Sequence, residues 1–465
     1  MTICARVLRH LLRLAWALSP AIIASGANPA MAQSAPSLVI VDVTLIDGTG
    51  RSPMPGMAVA VTGNRITFVG SAAAAPAGGR RIDGRGKVLI PGLMDMHLHV
   101  IGGGAWKDSS AQSGKTLDFE AGIRSLQGYL YYGFTSIYDA GNNPDFILPL
   151  RARERAGEIV APRIFATGQL LTYPGSWSVG YAGIAVRDWP DTMRDLDLQI
   201  SRKPDLQKIT YEAHGAGPNP LIPKLPKELM AKEIEYLRAH GIRTTAHIAN
   251  ELMARDAIEA GIDTLAHAPS VGLVTEDFAR MVAAKKVPIQ TSLAVFDEIS
   301  QMETGVEFLK TPEYAATVTA QEVPVREASR QRYLKLGWPV WFKTILPYAK
   351  RNLKMIHQAG GILVLGTDRA FAPTAHREMT LLVEAGIAPL DVITIASLNG
   401  AIFLAKEQDL GSVETGKLAD LVLLDADPTA DIANVKQVSM VIKDGAIIDR
   451  AALDLPINRA ARKGD

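Results

Sequence analysis

The chain of 465 residues contains a single cysteine, Cys4, so it cannot form an internal disulfide. It has no excess of either charge, because 49 Lys and Arg stand against 48 Asp and Glu for a net charge of +1. That balance offers no basic footprint from which to expect nucleic acid as a partner. It has no fixed-period internal repeat and no low-complexity tract, which speaks against a repeat array. Its N-terminal apolar run, "LAWALSPAIIA", covers residues 14–24 and falls short of the roughly 20 residues needed to span a bilayer.

That short run is instead flanked like the middle of an export signal. Arg6, Arg9 and Arg13 precede it as a basic segment, and "AMAQ" follows with a small-x-small cleavage site after Ala32. The expectation is a signal peptide over residues 1–32 and a periplasmic or secreted mature protein with no membrane attachment. An uncleaved anchor is the alternative. Cys4 would leave with the signal, so the mature chain would hold no thiolate nucleophile and no thiolate metal ligand.

What the chain does have is an ordinary globular balance, 48% hydrophobic and 21% charged, at a length that suits one large barrel plus something smaller. Both ends read as short strands. "LVIVDVTLIDGTG" and "GMAVAVTGNRITFVG" near the start share their texture with "GKLADLVLLDADP" and "VSMVIKDGAIID" near the end. Residues 33–90 and 405–460 are therefore expected to build one composite β-sandwich domain. Between them, strands are expected at 88–99, 135–140, 163–167, 206–212, 243–248, 264–268, 288–293 and 362–368, with helices such as "PKELMAKEIEYLRAHG" and "NELMARDAIEAG" in the intervals. Eight strand–helix units imply an α/β fold, a (β/α)8 TIM-type barrel over 91–404. The connection before the last strand is longer than such loops usually are. Its aromatic residues, Trp338 and Trp341 among them, suggest a lid inserted at about 297–350.

The chemistry is expected where barrel strands end. The stretch "PGLMDMHLHV" (91–100) places His97 and His99 two apart, on one face of a strand. The later strands bring Lys208 in "LQKITYE", His247 in "TTAHIA", His267 in "TLAHAP" and Asp368 in "LVLGTDRA". Four imidazoles and a carboxylate at one mouth suit zinc or another first-row divalent ion. Two such ions can share a hydroxide and polarise a substrate oxygen, giving a nucleophile without Ser or Cys. Lys208 is out of place as plain core, because an unpaired buried ammonium is costly; its bland explanation is an ion pair with Glu212 or another acid.

With these motifs in place, the chain resembles the amidohydrolase superfamily, in particular its imidazolonepropionase-like and prolidase-like members. The resemblance rests on "VLIPGLMDMHLH", "GFTSIYDAG", "APRIFATG", "HGIRTTAHI", "AGIDTLAHA", "GGILVLGTD" and the tail "GSVETGKLADLVLLDADP" with "VIKDG". It implies that His97, His99 and Asp368 bind one metal, that His247 and His267 bind a second, and that an N-carboxylated Lys208 bridges the two. It further implies that Asp368 takes a proton from the bridging hydroxide and passes it to the leaving group. The implied enzyme is a metal-dependent amidohydrolase, dipeptidase-like, that cleaves a C–N bond of a small-molecule substrate. An esterase, lactonase or phosphoester hydrolase would use the same mouth. A non-catalytic scaffold would be expected to have lost ligands, and all six are kept. His214 and His376, in the segments after strands four and eight, and Trp338 and Trp341 are candidate substrate contacts. Arg369, Arg377 and Lys107 are candidates for holding a substrate carboxylate. His240 and His357 read as last-turn helix residues. A homo-oligomer stays open.

Overall fold

The computed structural model describes residues 36–103, 117–179, 182–213 and 221–461. The expected signal segment, His214 and Lys107 lie outside the described residues. From the N-terminal side come β1 (Leu38–Leu45), β2 (Met54–Thr62), β3 (Arg65–Ser71), β4 (Arg80–Asp83) and β5 (Val88–Pro91). The next three strands are β6 (Leu93–Leu98), β7 (Phe134–Asp139) and β8 (Arg163–Ala166). Then follow β9 (Leu170–Thr172), β10 (Gly183–Ala185), β11 (Gln207–Thr210), β12 (Thr244–His247), β13 (Thr264–Ala266), β14 (Ile289–Gln290) and β15 (Leu363–Val364). The last three are β16 (Leu421–Leu424), β17 (Val438–Lys443) and β18 (Ala446–Ile447).

Strands from both ends share one eight-stranded sheet, in the order β18-β17-β16-β5-β1-β2-β3 with β4 beside β1. The expected sandwich is thus seen as a single sheet among the described strands. Its central joint is the antiparallel pairing of β16 with β5, Leu421 opposite Pro91 and Leu424 opposite Val88. The first barrel strand, expected as one piece over 88–99, is two strands that break at Gly92. The break has a local cause. A Cβ at residue 92 would lie 2.1 Å from Thr135 Oγ1, and the Gly92 N–H turns to the Asp420 carbonyl at 2.8 Å. Glycine lets the chain leave the first sheet and enter the second within one residue.

The middle strands are parallel, and β6, β7, β11 and β12 are buried along their whole length, as parallel strands flanked by helices should be. Their ladders form two sheets, β6-β7-β8 and β10-β9-β11-β12-β13-β14-β15, and do not run as one closed ring. Backbone bonds nonetheless cross both seams. Met96 donates to the Leu365 carbonyl at 2.8 Å and Thr367 to the His97 carbonyl at 3.0 Å, while Asp205 donates to the Ala166 carbonyl at 2.9 Å. The expected helices are present at Lys227–Ala239 and Glu251–Glu259. The second begins where the Asn250 side chain accepts from the Met253 N–H, so the turn after β12 ends in an ordinary N-cap.

The long connection before β15 is helical. It runs through Leu293–Ser300, short turns, Glu322–Lys335 and Trp338–Gln358. Helix Trp338–Gln358 packs on helix Leu293–Ser300, with the rings of Phe296 and Phe342 5.2 Å apart. No helix among the described residues is long and apolar enough to cross a membrane.

Candidate metal centre

Each strand end delivers its residue to the same place. The rings of His99 and His97 are 5.6 Å apart, those of His97 and His267 4.4 Å, and those of His267 and His247 4.5 Å. Lys208 Nζ lies 2.9 Å from His97 Nε2, and Asp368 Oδ1 lies 3.2 Å from His99 Nε2 and 3.8 Å from His97 Nε2. His97, Lys208, His247 and His267 are buried, whereas Asp368 keeps about a quarter of its side chain open, at 26%. Two of these residues hold left-handed backbone, His267 at φ 71° and Asp368 at φ 54°. For residues other than glycine that geometry costs on the order of 1–3 kcal/mol, and such strain gathers at functional sites.

For three of the four rings, hydrogen-bond partners assign which nitrogen faces the cluster. Gln290 gives its amide N–H to the Met96 carbonyl, which leaves its oxygen as acceptor 2.8 Å from His97 Nδ1. His97 Nδ1 therefore carries the proton, and Nε2 presents its lone pair. His99 Nδ1 donates to the Gly141 carbonyl at 2.7 Å, so Nε2 is the nitrogen that faces Asp368. His247 is reversed. Its Nε2 donates to Glu212 Oε2 at 2.9 Å, and its Nδ1 is buried with no hydrogen-bond partner among the described residues. Trp177 Nε1 donates to the same Glu212 oxygen at 2.9 Å and so holds the carboxylate in place.

Burial pushes the His97 and His267 imidazoles well below their usual range, and the neighbouring Lys208 and histidines push the same way. Burial also pulls the Lys208 ammonium down to about 8, against the attraction of Asp368 and Asp139. Asp368 moves the other way. Burial disfavours its charge, but the His99 hydrogen bond and the surrounding imidazoles outweigh burial and hold the carboxyl well below the carboxylate range. Among the described residues, Lys208 makes no ion pair with an acid, and Glu212 is turned to His247 and Trp177. The simple ion-pair explanation of Lys208 is thereby replaced.

A metal would fit this donor set. His97, His267 and Asp368 offer ligand atoms within 4.8 Å of one another. The orphaned Nδ1 of His247 is a further buried donor awaiting a partner. Imidazole nitrogens with a carboxylate are the ligands zinc and its neighbours take. Behind them Asp95 accepts from the His97 N–H at 3.1 Å and from the Thr367 hydroxyl at 2.8 Å, bracing the two strand ends against each other.

The cluster opens into a cavity of about 750 Å³ that His99, Lys208, His247, His267 and Asp368 all line. Trp338 and Trp341 line the same cavity. His376 does not. It is buried in helix Ala372–Glu384, with Nε2 3.1 Å from the Tyr132 carbonyl and its ring 5.4 Å from that of Phe134. Its expected role as a substrate contact is corrected: the helix after β15 turns this face into the core. Arg377 faces Asp297 and Glu384, away from that cavity, while Arg369 lines it and donates to Glu298 at 2.9 Å. His357 contacts Asp391, and His240 turns back to the Tyr236 carbonyl. Gln290 and Trp177 were not expected. A Gln inside the apolar run "VPIQTSL" was a readable signal, since buried polar residues need a reason; Trp177 carried none.

A sequence model described as the amidohydrolase family matches residues 88–448. The chain belongs to the amidohydrolase family. This amidohydrolase is 24% identical over 455 residues to an imidazolonepropionase of Phocaeicola vulgatus, covering 89% of this chain and 99% of that one. Its structure is similar to that of a Xaa-Pro dipeptidase with methionine bound in its active site, at 22% identity and a TM-score of 0.70, covering 88% and 99% of the two chains. It is also similar to a putative prolidase from Bifidobacterium longum, at 21% identity and a TM-score of 0.70, covering 89% and 94%. These likenesses give the amidohydrolase a TIM-type α/β fold, and its family makes it an enzyme, a hydrolase of C–N bonds in small molecules.

Proposed function

We propose that this amidohydrolase is a secreted or periplasmic binuclear enzyme that cleaves an amide in a dipeptide-like or N-acyl amino acid substrate. The observation that carries the reading is the gathering of His97, His267 and Asp368, whose ligand atoms lie within 4.8 Å of one another, with His99 Nε2 3.2 Å from the Asp368 carboxylate. The residues that would hold two divalent ions, zinc by ligand type, are His97, His99 and Asp368 on one side and His247 and His267 on the other. Lys208 would bridge them after its amine adds carbon dioxide and loses a proton. That step turns a costly buried cation into a carboxylate ligand. The ions would supply an activated water and a polarised carbonyl.

The chain's own groups do the rest. Asp368 takes the proton of the attacking water and returns it to the departing nitrogen, for which its partly open side chain is suited. Gln290 and Glu212 keep the His97 and His247 rings in the tautomers that leave ligand nitrogens free. Arg369, beside Asp368 on the cavity wall with its Nε given to Glu298, is one of the cavity's cations suited to a substrate carboxylate. The seam bonds support reading the two parallel sheets as halves of one (β/α)8 barrel, with the eight-stranded sheet as its composite domain.

Metal analysis of the purified protein and a hydrolysis screen over dipeptides, N-acyl amino acids, lactams and esters test the reading together. Two equivalents of divalent metal with amide turnover are expected. Turnover of esters or lactones alone would move the enzyme to the rival class, and a metal-free active protein would end the binuclear reading. Export is tested by N-terminal sequencing from the native host, with Gln33 expected as the first residue.

A further inference from the structure

The cavity has two unlike ends. One is the polar mouth already described. The other is built by the helical connection before β15, which brings Phe296, Tyr333, Trp338, Trp341 and Phe342 there beside polar residues such as Glu322, Arg326 and Arg332. On helix Trp338–Gln358, Trp338, Trp341, Phe342 and Ile345 recur at helical spacing, and all four line the cavity. Phe296 of helix Leu293–Ser300 packs at a tilt on Phe342, and Tyr333 of helix Glu322–Lys335 stacks on Trp338 with centroids 4.7 Å apart and planes within 22°. Three helices thus pool rings into one wall facing a space of about 750 Å³. That volume lies in the range of about 300–1,000 Å³ that takes drug-sized ligands, far more than one scissile amide fills.

We infer that this wall is an arm subsite, and that the enzyme's substrates are amides carrying a bulky aromatic group on one side of the scissile bond. The inference rests on the C–N hydrolase reading of the mouth and adds the class of substrate. A small dipeptide would occupy the polar end and leave the half-buried Trp338 and Trp341 facing water. A planar arm would fill that space and meet the ring faces and edges in the stacked and tilted arrangements aromatic pairs prefer. Burying an arm of that size should raise kcat/KM by about 10- to 150-fold over a methyl group.

The test uses the metal-loaded full chain and two matched substrate series. One varies the acyl side of alanine as acetyl, decanoyl and 2-naphthoyl; the other varies the amine side of N-acetylalanine as methylamide and 2-naphthylamide. A naphthyl preference of at least tenfold in one series is expected, with decanoyl behind naphthoyl if that series is the acyl one. Trp341→Ala and Phe342→Ala should each shrink the ratio by at least fivefold. Ile345→Trp, which fills the space instead of opening it, should shrink it too and guards against a wall variant that fails to fold. Binding of an uncleavable 2-naphthyl methyl ketone, followed by calorimetry, separates the two claims. Ketone binding that weakens in Trp341→Ala, without any amide turnover, keeps the subsite and removes the hydrolase reading. Equal rates for small and naphthyl amides in both series, or a decanoyl preference as large as the naphthoyl one, would overturn the aromatic arm.

Discussion

At the strand ends, His97, Lys208, His247 and His267 are buried and each meets a neighbour: a glutamine, an imidazole, a glutamate or another ring. In helix Lys227–Ala239, Glu233 is fully buried and neither of its oxygens has a partner among the described residues, and Gln199 on the adjoining helix Trp189–Arg202 is buried in the same condition. Burial alone pushes the Glu233 carboxyl up to about 8. The same low-dielectric interior thus produces two results. Around the mouth it is organised, so that each ring is turned and each lone pair directed. At Glu233 it only suppresses a charge. A buried titratable group is a sign of chemistry when its neighbours orient it, and a local cost when they do not.

The comparison breaks most visibly at Asp368. Asp368→Asn keeps the shape and one ligand oxygen but cannot accept a proton. Losing general acid–base help typically costs about 10²–10⁴-fold, or roughly 3–5 kcal/mol. Steady-state kcat at saturating metal should fall by about that much, with the circular dichroism unchanged. A parental kcat would make Asp368 a strand cap.

Lys208→Ala comes next. If Lys208 bridges two ions, the variant should retain at most one equivalent of metal and lose most turnover, with partial recovery in short carboxylic acids. Full metal content with parental turnover would place Lys208 beside Glu233 as an isolated buried group.

Glu233 sharpens the other side. Its folded pKa of about 8 lies above the value of 4.5 for a free glutamate, so the native state favours the proton. The stability carried by the neutral carboxyl is complete below pH 4.5 and is lost as pH rises through 8. Glu233→Met should therefore stabilise the protein more at pH 8 than at pH 4.5, by on the order of a few kcal/mol at about 1.36 kcal/mol per pKa unit. Urea unfolding at the two pH values measures it; a pH-independent difference would mean that Glu233 does not titrate with folding.

The smallest effect is expected at Glu212. Glu212→Gln keeps a hydrogen-bonding oxygen yet removes the charge that holds the His247 N–H. Partners of this kind are worth about 10–100-fold in metal affinity. Competition with a chromophoric chelator should show weakening in that range, and Trp177→Phe should give a smaller loss in the same direction. Unchanged affinity in both variants would confine Glu212 to packing.

Much of the mouth was legible because the four histidines and Asp368 stand at or near the ends of short apolar runs, where a polar residue has no packing reason to be. His97 and His99 declare a shared face through strand alternation, and Asp368 lies four residues past the end of β15. His376 misled for the same reason: it follows β15 closely in sequence, but the helix it sits on rotates it toward Tyr132 and Phe134. The break at Gly92 was hidden, because both halves of the run read as strand and only Thr135 opposite forces them apart.

The sequence by itself determined the order of strands and the residue type at each strand end, since hydrophobic alternation and turn residues act between near neighbours. Only the tertiary structure decided which nitrogen of His97, His99 and His247 faces the centre. The partner of His97 lies 193 residues away at Gln290, that of His99 lies 42 away at Gly141, and that of His247 lies 35 away at Glu212. An imidazole's tautomer follows whatever hydrogen-bonds its far side, and those groups meet only when the parallel strands have assembled.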